Sequence, residues 1–294
     1  MKKIVLYFLL LCIACQSEKM ELNLPDGESS TVNIELSSIE AVYENIISRG
    51  VDDVQGETVQ ELLYSLHYVL ADADGNILEQ TLLTEEELTN FQSLELSLKK
   101  GEYKLFVLGE GKNFSFSHVT EEVHEVNSIT DIWFHNIRYQ PVRRELFYAS
   151  LPFTIDGTGT NVDLQIELRR QVGMLDIEFE TSHSAEEISL LGLIMLVPDA
   201  YLANYMTVDG KIGFDMSDTN GTGYYWTYDA VITENKSRFF MLPSLPFQGN
   251  EKPKLVFSYG IQENDNFKII NKEIVLEDLK IEANRVTTVT ITID

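Results

Sequence analysis

Across 294 residues the chain carries 47 acidic and 22 basic side chains, a formal net charge of −25, with 44% hydrophobic residues. So acidic a chain repels nucleic acid and anionic lipid, and its apolar content excludes a disordered polymer. Its length suggests two domains.

The chain opens with MKKIVLYFLLLCIAC. Lys2 and Lys3 form a basic n-region, and the apolar run from Ile4 to Ile13 is about half of the ~20 residues needed to cross a bilayer. A secretory signal over residues 1–14 is therefore predicted, with small Ala14 before the cleavage point. The segment LCIAC resembles a bacterial lipobox, with Cys12 standing where leucine is usual, and this resemblance implies acylation of Cys15. Both cysteines of the chain lie in this stretch. The mature protein is thus expected to hold no disulfide framework, cysteine nucleophile or zinc–thiolate site. Loss of Lys2 and Lys3 leaves it more acidic by two charges, so any membrane attachment must come from the lipid.

Strand-period patterns then dominate. TVNIELS alternates Val32, Ile34 and Leu36. LLYSLHYVLADADGNILEQ alternates Leu62, Tyr64, Leu66, Tyr68 and Leu70 before a turn at Asp74-Gly75. TEEELTNF, with Thr84 three residues before Glu87, has capping-box spacing and predicts one short helix. SLELSLKKGEYKLFVLGEG gives two strands about Gly101. NVDLQIELRRQVGMLDIEFE gives two more, and Arg169-Arg170 between them are expected to pair with carboxylates or to close a strand end. The chain ends on NRVTTVTITID, with Val289, Ile291 and Ile293 on one face. Short strands without long helices predict an all-β fold of antiparallel β-sandwiches. The linker-like stretch TIDGTGTN divides it into an N-terminal domain over 15–156 and a C-terminal domain over 157–294.

Chemistry is sparse along this sequence. There is no G-x-S-x-G, H-E-x-x-H, Walker A or Rossmann glycine pattern, so neither an enzyme nor a cofactor is expected. His118 and His124 lie among Glu121, Glu122 and Glu125, but at no ligand spacing, so no metal site is predicted. His67 reads as a histidine on a sheet face. ADADGN and SDTNGTG suggest calcium loops, yet lack the downstream glutamate and read as turns. Tyr224, Trp226 and Tyr228 share one face of a strand, which suits stacking on a sugar ring or equally the packing of a core.

Taken in order, these segments resemble the fimbrillin superfamily of fimbrial proteins from Gram-negative anaerobes. The resemblance is carried by the lipobox cysteine, then ISRGVDDV, YSLHYVLADADGNILEQ and LSLKKGEYKLFVLGEG. ELFYASLPFTI, VDLQIELRRQVGMLDIEFE and LKIEANRVTTVTITI complete it. It implies two tandem transthyretin-like domains and a non-enzymatic subunit or anchor of a fimbrium, lipidated at Cys15 and exposed at the outer membrane. It also implies other fimbrial subunits as partners and assembly by β-strand addition: polymerising subunits lose their first strand to an arginine-specific protease, for which Arg49 is the candidate site, whereas anchors keep strand and lipid uncut. A surface glycan-binding lipoprotein using Tyr224, Trp226 and Tyr228 is the alternative.

Overall fold

The structure is a computed structural model that describes residues 29–39, 58–114, 121–136, 142, 144–182, 188–198, 200–215, 224–228, 236–246, 249–263 and 266–293. Its first half comprises β1 (Ser30–Ile39), a single turn α1 (Val59–Leu62), β2 (Leu63–Asp72), β3 (Ile77–Leu83) and a second turn α2 (Glu85–Leu88). There follow β4 (Leu94–Leu98), β5 (Gly101–Phe114), β6 (Glu121–Val123), β7 (Ile132–Asn136) and β8 (Arg144–Ile155). The second half begins with β9 (Val162–Arg170), β10 (Gly173–Thr181), β11 (Ile188–Val197), β12 (Tyr205–Thr207) and β13 (Ile212–Gly213). It ends with β14 (Tyr224–Tyr228), β15 (Lys236–Met241), β16 (Lys254–Glu263), β17 (Asn266–Val275) and β18 (Val286–Ile293). The protein is mostly β, in several sheets, as the alternation predicts.

A seven-stranded sheet in the order β3-β2-β5-β8-β9-β1-β4 builds the first core. Among the described residues, the ladder between β8 and β9 is limited to Phe147↔Arg170 and Tyr148↔Arg169. The sheet folds over at that narrow junction, so that Val32, Ile34, Leu96, Ile166 and Leu168 pack against Leu66, Leu70, Leu105, Val107 and Phe147. At the β2–β3 turn the Asp72 carboxylate accepts the backbone N–H groups of Asp74 and Asn76, both at 2.9 Å. Gly75 there has φ +87°, which a side chain resists, and ADADGN is accordingly a turn. The predicted helix is α2, where the Glu87 carboxylate accepts the Thr84 backbone N–H at 2.8 Å.

The second core lies between β15-β10-β18 and β14-β11-β16-β17. It holds Leu175, Ile177, Leu193, Met195, Phe239, Phe257, Tyr259 and Ile291, all but fully buried. A third core joins the two halves. A four-stranded sheet in the order β13-β12-β7-β6 takes two strands from each half of the chain. Trp133, Phe134, Met206 and Val208 of this layer pack with Val69, Phe106 and Leu146 of the first half and Met174 and Phe240 of the second.

Two sequence expectations are corrected here. The sheets are not wholly antiparallel, because β1 pairs with β9, and β10 with β18, in parallel. Parallel neighbours need a long connection, and each of these pairs is separated by more than a hundred residues of chain. β2 is also not a one-faced strand. Leu66, Tyr68 and Leu70 enter the first core while Val69 and Ala71 enter the third, so its alternation disappears under the composite sheet. The boundary expected at 156/157 falls in the loop between β8 and β9, and both of these strands belong to the seven-stranded sheet.

Candidate functional site: a strand held between two others

β1 lies inside the seven-stranded sheet, although the chain reaches it before any other described element. On one side it runs antiparallel to β4, with Val32 opposite Leu96 and Ile34 opposite Leu94. On the other it runs parallel to β9, with Val32 opposite Val162 and Leu36 opposite Ile166. Val32 and Ile34 are fully buried in the first core. Polar residues alternate with them on the outer face, where Asn33 Nδ2 donates to Asp163 Oδ1 at 2.9 Å. A bulge between Leu36 and Ser38 resets the parallel register, and Ser37 Oγ donates to the Ile166 carbonyl at 3.2 Å.

This placement has a chemical consequence. β4 has β1 as its one sheet neighbour among the described residues. Withdrawing β1 would strip β4 of that partner, open one edge of β9, and bare an apolar slot lined by Leu66, Leu96, Leu98 and Ile166. Exposed strand edges beside an apolar slot are a template for an incoming strand of matching alternation. The closing VTTVTITI segment is seated as β18 at the edge of its own sheet, with Ile291 and Ile293 buried in the second core.

Of the residues singled out by sequence, Cys15 and Arg49 lie outside the described residues, as do His118 and SDTNGTG. The register of β14 sets Tyr224, Trp226 and Tyr228 opposite Val197, Met195 and Leu193, three members of the second core, while the side chains of 224–228 lie outside the described residues. His67 faces the third core, where Trp133 Nε1–H donates to its Nδ1 at 2.9 Å. Burial lowers its pKa to about 4. A ring so placed is held neutral as an acceptor.

Arg169 and Arg170 both meet carboxylates, on opposite terms. Arg169 sits 3.8 Å from Glu167 at the surface. Arg170 is buried, 3.0 Å from the equally buried Glu145, and donates to Asn284 Oδ1 at 2.7 Å. Its guanidinium also lies over the Phe147 ring, 5.2 Å from the centroid. Asn284 occupies the left-handed region at φ 56°, a conformation asparagine tolerates better than most residues. This cluster ties β8 and β9 to the loop before β18. Neither Glu145 nor Asn284 stands out in the sequence, because Asn284 lies 114 residues from its arginine. The only sequence signal is two adjacent arginines in a cation-poor chain.

Residues 51–294 match the model of the family described as Mfa2: Fimbrillin-A associated anchor proteins Mfa1 and Mfa2. Among solved structures, the chain is similar to a candidate cell adhesion protein from Bacteroides eggerthii, with a TM-score of 0.50 and 10% identity over 93% of this chain and 89% of that one. The fimbrial anchor protein Mfa2 from Porphyromonas gingivalis gives 0.43 and 13% identity, covering 85% and 83% of the two chains. A fimbrial assembly protein from Parabacteroides distasonis gives 0.45 and 12%, covering 90% and 91%. No curated protein matches.

Proposed function

The chain belongs to the Mfa2 family of fimbrillin-A associated anchor proteins, and from that premise we propose that it is an outer-membrane lipoprotein, acylated at Cys15, that joins a fimbrium by β-strand addition. The family is one of fimbrial anchors, not of enzymes, and its association with fimbrillin makes fimbrial subunits the partners and the cell surface the location.

The observation that supports strand addition is the position of β1 between β4 and β9, with Val32 and Ile34 filling the slot. Cys15, β1 and Arg49 all precede the residues matched by the family model, so these finer assignments rest on the sequence and on this geometry. Arg49 lies in the polar, glycine-containing segment SRGVDDVQGET that follows β1, and a cut there would free the strand from the rest of the chain. In this reading a subunit cut at Arg49 accepts a neighbour's strand, whereas an uncut one keeps β1 and its lipid and holds the base of the fibre. The two transthyretin-like domains are part of the same proposal.

Limited trypsin treatment of the lipid-free protein, followed by sizing and N-terminal sequencing, separates these states. A new terminus at Gly50 with growing oligomers identifies a polymerising subunit, and resistance at Arg49 identifies an anchor. A terminus at Gly50 on a chain that stays monomeric overturns strand exchange. Labelling with a clickable fatty acid should mark the wild type and spare Cys15→Ser; equal labelling of both overturns the lipid assignment.

A further inference from the structure

β17 closes one end of the four-stranded sheet β14-β11-β16-β17, and among the described residues its outer side carries no strand. It runs ten residues without proline, and its pairing with β16 is unbroken from Asn266 to Val275. Five large apolar side chains are exposed among the described residues, and Phe267 (53%), Ile269 (59%) and Val275 (42%) on β17 are three of them. All three stand on the sheet face turned away from the second core, since Ile270 and Ile274 on the alternate positions pack into it. The Phe267 ring is laid over Gly260 of β16, where a Cβ would come within 2.0 Å of it, so the aromatic is held flat against the sheet. A long, regular edge with an apolar outer face is the kind of surface that monomeric proteins usually guard.

Charge identifies what this edge can meet. The hairpin of β16 and β17, from residue 254 to residue 275, holds Lys254, Lys268 and Lys272 against Glu263, Asp265 and Glu273. It is locally neutral in a chain of net charge −25. Two such chains repel over most of their surfaces, and this hairpin is where they approach at least electrostatic cost. The edge is also complementary to itself. A two-fold axis normal to the sheet through Asn271 pairs β17 antiparallel with its copy and keeps outer face on outer face. Phe267 then lies opposite Val275 of the copy, Asn271 opposite Asn271, and Ile269 opposite Glu273, whose carboxylate is held by Lys254 at 2.8 Å. On the inner face Lys268 meets Ile274 and Lys272 meets Ile270, so no like charges oppose one another.

We propose that β17 is a self-association edge, through which two copies of this protein join their four-stranded sheets into one continuous eight-stranded sheet. This proposal is independent of strand exchange at β1, which lies in the other sheet system.

The mature chain carrying Cys15→Ser contains no thiol, so one introduced cysteine reports the register cleanly. Sedimentation equilibrium should show a monomer–dimer equilibrium. Ile269→Lys should weaken it at least tenfold with the melting temperature unchanged, because Ile269 is exposed. Asn271→Cys should oxidise to a disulfide-linked dimer, since directly opposed strand residues lie within disulfide reach. Phe267→Cys, set many residues from its own copy in this register, should not. A chain that stays monomeric at several hundred micromolar overturns the proposal, as does a dimer indifferent to Ile269→Lys or one that cross-links equally through both cysteines. A monomer that instead loses binding to a fimbrial subunit or to anionic vesicles on Ile269→Lys also overturns it, and assigns the edge to that partner.

Discussion

Arg169 and Arg170 are neighbours in sequence with opposite energetic roles. Arg169 is 73% exposed and its contact with Glu167 is long, so solvent screens the pair. Arg169→Ala should change stability by less than about 1 kcal/mol. Arg170→Ala would leave Glu145 charged and buried without its guanidinium, at a cost of about 3–5 kcal/mol in urea unfolding. If the two variants melt together, the buried cluster is not what fixes this corner. His67 makes a second prediction at this scale. Its folded pKa of about 4 lies below the ordinary value of 6.5, so the unfolded chain takes up a proton first as pH falls. Its contribution is therefore intact above pH 6.5 and is lost between pH 6.5 and 4, up to about 3 kcal/mol. Carboxylates held low in the fold, such as Glu87 by its bonds from Thr84, lose stability only at lower pH. Stability measured from pH 6.5 to 5 should fall in the wild type and stay flat in His67→Gln, and protonation should also perturb the fluorescence of Trp133, which donates to this ring. An unchanged slope in His67→Gln would assign the effect to other groups.

Among the elements, β1 differs from the other seven strands of the first half, β2–β8, in how it is attached to the rest. It is held by pairing on both edges and by Val32 and Ile34 in the core, and its covalent link to α1 is the segment that contains Arg49. A chain begun after β1 should therefore bind a free peptide copying Ser30–Ile39. At a hundredfold excess over Kd, binding should stabilise it by about 2.7 kcal/mol, seen as a rise of several degrees in melting temperature. A peptide with Val32 and Ile34 replaced by aspartate should give no shift, because the same two side chains fill the slot. A shift of equal size from both peptides would mean that the slot does not read side chains. The turns α1 and α2 are secondary to this architecture, each a single turn whose one or two buried residues, such as Leu88, cap the open end of the first core.

At the scale of the whole molecule, the composite sheet and the third core decide how the halves behave. Trp133 and Phe134 come from one half and Met206 and Val208 from the other, and all four are fully buried together. The halves should consequently unfold in one transition rather than two. β9 carries a related expectation. A first-half fragment ending at residue 156 lacks β9, so β1 loses its parallel neighbour and Arg170 no longer meets Glu145. A fragment ending at residue 172 retains both. The longer fragment should be the more soluble and show the sharper urea transition; equal behaviour would place the boundary of the folding unit in the loop at 156/157.

The class of fold was legible in the sequence for a local reason, since side chains alternate along a strand whatever it pairs with. Hence TVNIELS, GEYKLFVLGEG, VDLQIEL and VTTVTITI each mark a strand that the structure contains, and the Thr84–Glu87 spacing marks α2. The Asp-Gly turn after β2 was legible in the same way, because Gly75 meets a backbone requirement contained within a few residues. Alternation carries no information about which distant strand lies alongside, so the parallel pairs β1–β9 and β10–β18 were not legible. Nor was the second buried face of β2, which exists only because β7 and β12, far along the chain, lie across it. The polar cluster of Glu145, Arg170 and Asn284 has the same origin, as does the trapping of β1 between β4 and β9. Sequence determined which segments are strands and which face of each is apolar; only tertiary structure decided which strands become neighbours, because pairing depends on contacts between residues that the chain keeps far apart.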